Sequence, residues 1–162
     1  MCSSDLRRIA LITGGPERPA RERRRAVEEE LASAGDGARC QVYSGEFTVE
    51  HGRRATTAIL AEDPRPTAII AGGNMLMQGA LLTLHDAAVE VGREISFVGC
   101  DDIAIAELHR PPIAVVRRDI RAVGVAAAEL LLAELDDADG RPREVVLPTE
   151  FVARASCGPA PA

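Results

Sequence analysis

The chain has 162 residues and a net charge of −6 at pH 7, and 46% of its residues are apolar, which is enough for one core of ordinary size. All nineteen basic residues are Arg, and one Tyr and three Phe interrupt a background of Ala, Val, Ile and Leu, a composition suited to helices packed on a buried parallel sheet. The acidic balance excludes an independent nucleic-acid surface: the best basic patch, Arg21, Arg23, Arg24 and Arg25, shares its segment with Glu22, Glu28, Glu29 and Glu30 and reads as a solvated helix face with internal charge pairing.

In chain order, residues 8–13 form a short apolar run that stops at Gly14-Gly15-Pro16, a buried strand followed by a loop. The pattern predicts a helix over 18–34, closed by Gly35, and a strand over 39–43. Thr48 is placed to cap a helix running to about residue 62, before Asp63-Pro64. A strand over 67–71 leads through Gly72-Gly73-Asn74 into a helix over 75–91, with Asn74 as its cap and Gly92 as its end. A strand over 95–98 ends in Gly99-Cys100-Asp101-Asp102. A helical turn over 103–109, a strand over 114–117, a helix from an Asp119 cap to about residue 135, a polar loop over 136–142, and strands over 145–147 and 151–155 complete the chain.

Alternating strands and helices at this spacing predict an α/β fold, an open and mostly parallel sheet with helices on both faces. Ligands of such sheets bind in the crevice at the strands' carboxyl ends. The loops 14–23, 44–47, 72–74 and 99–102 are therefore expected to converge. Within them, Arg23 can fork two donors toward sugar hydroxyls or a carboxylate. Phe47 offers a ring either to a sugar's C–H face or to the second helix. Asp101 and Asp102 can accept from adjacent hydroxyls, hold magnesium, or cap the following turn; one is expected to cap and the other to face the cleft. Asn74 is a helix cap or a ligand contact.

Other chemistries find little support. The four Cys form no CxxC pair and the three His are scattered, so no zinc site and no cofactor are expected. GGPERP is neither GxGxxG nor GxxxxGK[ST], and no GxSxG elbow occurs. Receiver domains use a Lys that this chain lacks, and haloacid-type phosphatases need a DxD after the first strand, so no enzymatic activity is expected. No apolar run reaches membrane-spanning length and the start is unlike a signal peptide, which points to a cytoplasmic protein.

The stretch TAIIAGGNMLMQGALLTLHDAAVEVGREISFVGCDDIAIAELHRPPIAVVRRDIRAVGVAAAELLLAEL resembles the LacI/GalR family of transcription repressors. RRIALITGGPERPARERRRAVEEELASAG and EVVLPTEFVARASC are similar to the middle and end of that family's effector domain, so the resemblance runs from residue 7 to residue 157. It implies a two-lobed domain like periplasmic sugar-binding proteins, an effector between the lobes, and DNA-binding heads whose spacing the effector controls. It implies that Arg23, Phe47 and Asp101 contact the effector, a sugar. It also implies a homodimer contact through Gln78, Leu82, Leu108 and His109, on the outer face of the 75–91 helix and the 103–109 turn. Operator DNA would be bound only through an N-terminal head that the chain lacks. A sugar-binding protein of a transport system is the alternative with the same fold.

The resemblance further implies domain limits. Residues 7–118 and 143–157 correspond to the C-terminal lobe. Residues 119–142 correspond to a helix and loop of an otherwise missing N-terminal lobe, so that helix is expected either to pack onto the remaining lobe or to self-associate. Residues 1–6 match what a common sequencing adapter encodes from a start codon and are expected to be a non-native or disordered start, with 158–162 a disordered tail. Two departures stand out. Gly73 occupies the position of a contacting Asn, which Asn74 replaces only with a backbone shift, and Pro19 stands where a polar contact is common.

Overall fold

The computed structural model describes residues 7–34, 37–136 and 143–158. The elements follow as β1 (Arg8–Thr13), α1 (Arg18–Ala34), β2 (Arg39–Ser44), α2 (Val49–Leu60), β3 (Ala68–Ala71), α3 (Asn74–Asp86), β4 (Ser96–Cys100), α4 (Ala104–Leu108), β5 (Ala114–Arg118), α5 (Ile120–Asp136) and β6 (Thr149–Val152). They form one sheet in the order β2-β1-β3-β4-β5-β6. β1 to β5 are parallel, and β6 runs antiparallel to β5. The fold class is the expected one.

Two-residue alternation along the strands divides the sheet into two faces. Ile12, Ile69, Phe97 and Val115 join Ile59 of α2 and Leu76, Met77 and Leu84 of α3 in one buried cluster. Leu11, Ile70, Val98 and Val116 point the other way, where Ala26 and Val27 of α1 face them across a cavity. Burial on both faces explains why β1 and β3 read as continuous apolar runs rather than alternating ones.

α2 and α3 cross at two glycines. A Cβ on Gly79 would lie 2.1 Å from the Val49 carbonyl oxygen, and one on Gly52 would lie 2.5 Å from the Leu76 carbonyl oxygen. Backbone meets backbone there, which only hydrogen side chains permit. On α1, Arg24 donates to Glu28 and Arg25 to Glu29 at 2.7 Å, the solvated face with internal pairing that the sequence predicts.

Several boundaries move. The third helix ends at Asp86 rather than running to residue 91, because a Schellman turn closes it: the Val89 N–H donates to the Leu84 carbonyl and the Ala88 N–H to the His85 carbonyl. The left-handed residue is Ala88, with φ 53°, so no glycine announces the stop. Asn74 is not the cap; it is the first helical residue after Gly73, and its side chain accepts from the Met75 N–H at 2.7 Å. Thr48 does cap α2, accepting from the His51 N–H at 3.1 Å, and Asp119 opens α5 by accepting from the Ala122 N–H at 2.9 Å.

The strand expected over 145–147 does not form. Pro148 follows it and pairing with β5 begins only at Thr149, so that segment has no ladder to join. The last strand is Thr149–Val152 instead of 151–155. Beyond it, the buried Ser156 hydroxyl donates to the Phe97 carbonyl at 2.6 Å and accepts from the Ala114 N–H at 2.7 Å, clipping the chain to β4 and β5. Gly158, expected in a disordered tail, donates to Ser96 Oγ at 3.1 Å. Residues 1–6 and 159–162, the other expected disordered ends, lie outside the described residues.

α5 does not cover the sheet. Its Ile120, Leu131, Leu132 and Leu135 are exposed, so most of its apolar face is left without a partner in this chain. Ala126, Leu130 and Ala133 face the 143–145 segment instead, and Arg18 holds that segment to the start of α1 by a 2.5 Å pair with Glu144. Among the described residues, no helix is long and apolar enough to cross a membrane.

Candidate functional site

Parallel pairing carries the ends of β1 to β5 to one edge of the sheet. The chain leaves β1 toward β2 on one side and leaves β3 toward β4 on the other, so the order reverses between β1 and β3. Loops diverging from that point open the crevice in which such sheets bind ligands. The four loops predicted to converge do so, each following a strand on this edge.

Arg23 and Asp101 line the same cavity, of about 460 Å³, between α1 and the sheet. Its floor is apolar: Leu11, Ile70, Val98 and Val116. Arg23, just over one turn into α1, is half-buried. The Cys100 thiol beside it is pushed up by burial, with the Arg23 guanidinium opposing the shift. That thiol is therefore protonated and neutral, a wall rather than a nucleophile.

Asp101 follows β4 with φ 76°, a left-handed conformation that Asp tolerates better than most residues. Its N–H donates to the Val116 carbonyl at 3.0 Å, which anchors the turn to β5. Its Oδ1 accepts from both Nε (2.8 Å) and Nη2 (2.5 Å) of Arg118. Asp102 turns to a different partner: Arg154 donates to both of its oxygens, at 2.8 and 2.9 Å, and also to the Ile113 carbonyl. The expectation that one aspartate caps the next turn is corrected. Ile103 occupies the cap of α4 without a side-chain bond, because the Arg154 fork has claimed Asp102.

Phe47 is 49% exposed and does not line that cavity. Its ring covers Gly14 and Gly73. A Cβ on Gly73 would meet the ring's Cε2 at 2.2 Å and Cζ at 2.3 Å, and one on Gly14 would lie 3.5 Å from Cδ2. The aromatic ring thus fills the space in which a side chain at position 73 would stand. The Asn74 side chain accepts from the Met75 N–H, and Pro19 is exposed on α1. Gly73→Ala is expected to displace the Phe47 ring and to cost about 1–2 kcal/mol, and Phe47→Ala in the same chain should recover most of that loss. Chemical denaturation of the two single variants and the double variant measures the coupling; additive losses would refute the contact.

The remaining sequence candidates sit on another surface. Gln78 is exposed on α3 and Leu82 is half-buried there. Leu108, ending α4, is 73% exposed, and His109 Nδ1 lies 2.7 Å from the Pro111 carbonyl oxygen. Sequence reasoning overlooked Arg118 and Arg154. The Arg117-Arg118 pair closing an apolar strand was the available signal, but its carboxylate partners are distant in the chain.

An open parallel sheet with its ligand crevice at the strand ends is the architecture of a periplasmic-binding-type lobe. Residues 2–157 match the periplasmic binding protein-like domain family, and the chain belongs to it. More particularly, the chain belongs to the LacI/GalR family of transcription regulators, as their effector-binding domain. It is 31% identical over 140 residues to the HTH-type transcriptional regulator reg1 of Streptomyces lividans, covering 86% of this chain and 37% of that protein. It is 32% identical over 162 residues to the HTH-type transcriptional regulator AglR of Rhizobium meliloti, covering 95% and 45%. Among solved structures, a LacI family transcriptional regulator from Bifidobacterium animalis subsp. lactis superposes with a TM-score of 0.82 at 28% identity, covering 97% of this chain and 57% of that one. A LacI transcriptional regulator from a Rhodococcus species gives 0.86 at 26% identity, covering 98% and 59%. The chain spans less than half the length of these curated relatives.

Proposed function

We propose that this chain senses a small-molecule effector, a sugar, for a cytoplasmic LacI-type regulator and passes the signal to operator binding by a DNA-binding head outside these residues. The observation that carries the reading is that Arg23 and Asp101 line one cavity at the strand-end edge. In this reading Arg23 forks donors to effector oxygens, Asp101 accepts from adjacent hydroxyls, and Phe47 lays its half-exposed ring on the effector's C–H face. Asn74 borders the site. The relatives are regulators, which favours a binding role over catalysis and over transport.

In the same reading, residues 7–118 and 143–157 make the C-terminal lobe. Residues 119–142 belong to the opposite lobe, and support comes from the exposed leucines of α5. Two copies meet through Gln78, Leu82, Leu108 and His109. An effector held between lobes changes their angle, and with it the spacing of paired heads.

A thermal-shift screen of sugars tests the site. Asp101→Ala and Arg23→Ala are each expected to weaken a hit by about tenfold to a hundredfold, the loss of one hydrogen bond to a charged group. A hit indifferent to both substitutions would place the effector elsewhere.

A further inference from the structure

We infer that the effector carries an anionic group, a carboxylate or phosphate on a polyol or sugar, and that Arg118 sets this preference because it counters the Asp101 charge beside Arg23, which makes no ion pair among the described residues. The inference rests on the effector site proposed above.

The charged groups of the cavity sum to zero, but they are not all paired with one another. Arg23, Arg118, Asp101 and Glu22 line it. Asp101, whose side chain is only 14% exposed, takes two donors of Arg118 on Oδ1, which pairs its charge and leaves Oδ2 for a ligand. Glu22 is exposed and acts on Arg18 and Arg25, one turn before and after it on α1. Arg23 is left over. It makes no ion pair among the described residues, and its close polar neighbour Cys100 is a neutral thiol.

A half-buried guanidinium in a cavity floored by Leu11, Ile70 and Val98 is less fully solvated than one on the open surface. An oxyanion restores that loss with two parallel N–H bonds, which a neutral hydroxyl does not. Arg118 counters the Asp101 charge and takes Oδ1, so a neutral polyol meets in Oδ2 a weaker acceptor than a free carboxylate would offer. Arg118 donates to Asp101 through Nε and Nη2 but not Nη1, so the Nη1 amino group remains for the ligand. Removing the Arg118 charge inverts this balance. Asp101 is then free to accept from hydroxyls, and its charge compensates Arg23.

Titration calorimetry on the full chain with glucose, glucuronate and glucose 6-phosphate tests the inference. At least one acid is expected to bind about tenfold or more tighter than glucose, and the two acid arms tell carboxylate from phosphate. Arg118→Gln should lower the acid-to-glucose affinity ratio by about tenfold, and Arg118→Lys should keep most of it. Added salt should weaken the acids and leave glucose unchanged. Glucose binding as tightly as both acids, or a ratio unmoved by Arg118→Gln, overturns the inference and leaves the effector site standing. Failure of all three probes to bind removes both.

Discussion

Gly79→Ala is expected to destabilise the fold by about 3 kcal/mol, at the upper end of what overpacking does. The added methyl would stand 2.1 Å from the Val49 carbonyl oxygen, 2.9 Å from the Arg53 nitrogen and 3.0 Å from the Gly52 Cα. All three are backbone atoms, so no rotamer change relieves the clash. The helices must separate instead, and their separation loosens Ile59, Leu76 and Leu84, which share the cluster above the sheet. Gly124 on α5 is the contrasting case, with nothing within 4 Å of its Cβ position. There the same substitution should stabilise by about 0.8 kcal/mol, through helix propensity alone. Urea midpoints followed by circular dichroism compare the two variants. Equal shifts in the same direction would show that the α2–α3 approach is not close.

Asp102→Ala is expected to destabilise by about 3 kcal/mol, the typical result of stranding one member of a buried pair. The side chains of Asp102 and Arg154 are 10% and 14% exposed, and the guanidinium forks onto both carboxylate oxygens. Without the carboxylate, Arg154 keeps the Ile113 carbonyl and a 3.4 Å contact with exposed Glu107. The neighbouring Asp101→Ala should destabilise by less than about 1 kcal/mol, because its partner Arg118 is 45% exposed and solvent screens the pair. Adjacent aspartates thus divide the work: one fastens the end of β4 to the C-terminal segment, and the other faces the cavity. The double variant Asp102→Ala, Arg154→Ala should lose much less than the sum of the singles. Losses that simply add would show that the two residues act separately.

Much of this was legible in the sequence. The β1 run ends at Gly14-Gly15-Pro16, α1 spans the residues that the periodicity predicts, and Thr48 and Asp119 cap as expected. These signals are complete within a few residues, so no distant partner has to be known. The meeting of Arg23 and Asp101 at one strand-end cavity followed from the parallel sheet alone. The failures share a cause. The third helix stops at a Schellman turn built on Ala88, where the usual glycine is missing. The 145–147 strand was read from apolar content, but a strand exists only beside a neighbour, and β5 has none to offer there.

The sequence by itself determined the family, the alternating α/β order and the edge on which a ligand would be met, since each depends on local pattern or on the handedness of the crossovers. Only the tertiary structure decided which charges remain free at that edge. Arg118 reaches Asp101 across 17 residues and Arg154 reaches Asp102 across 52, and Phe47 settles over a glycine on another loop. Pairings of that kind depend on which strand ends the fold brings side by side, and no local window of the chain contains them.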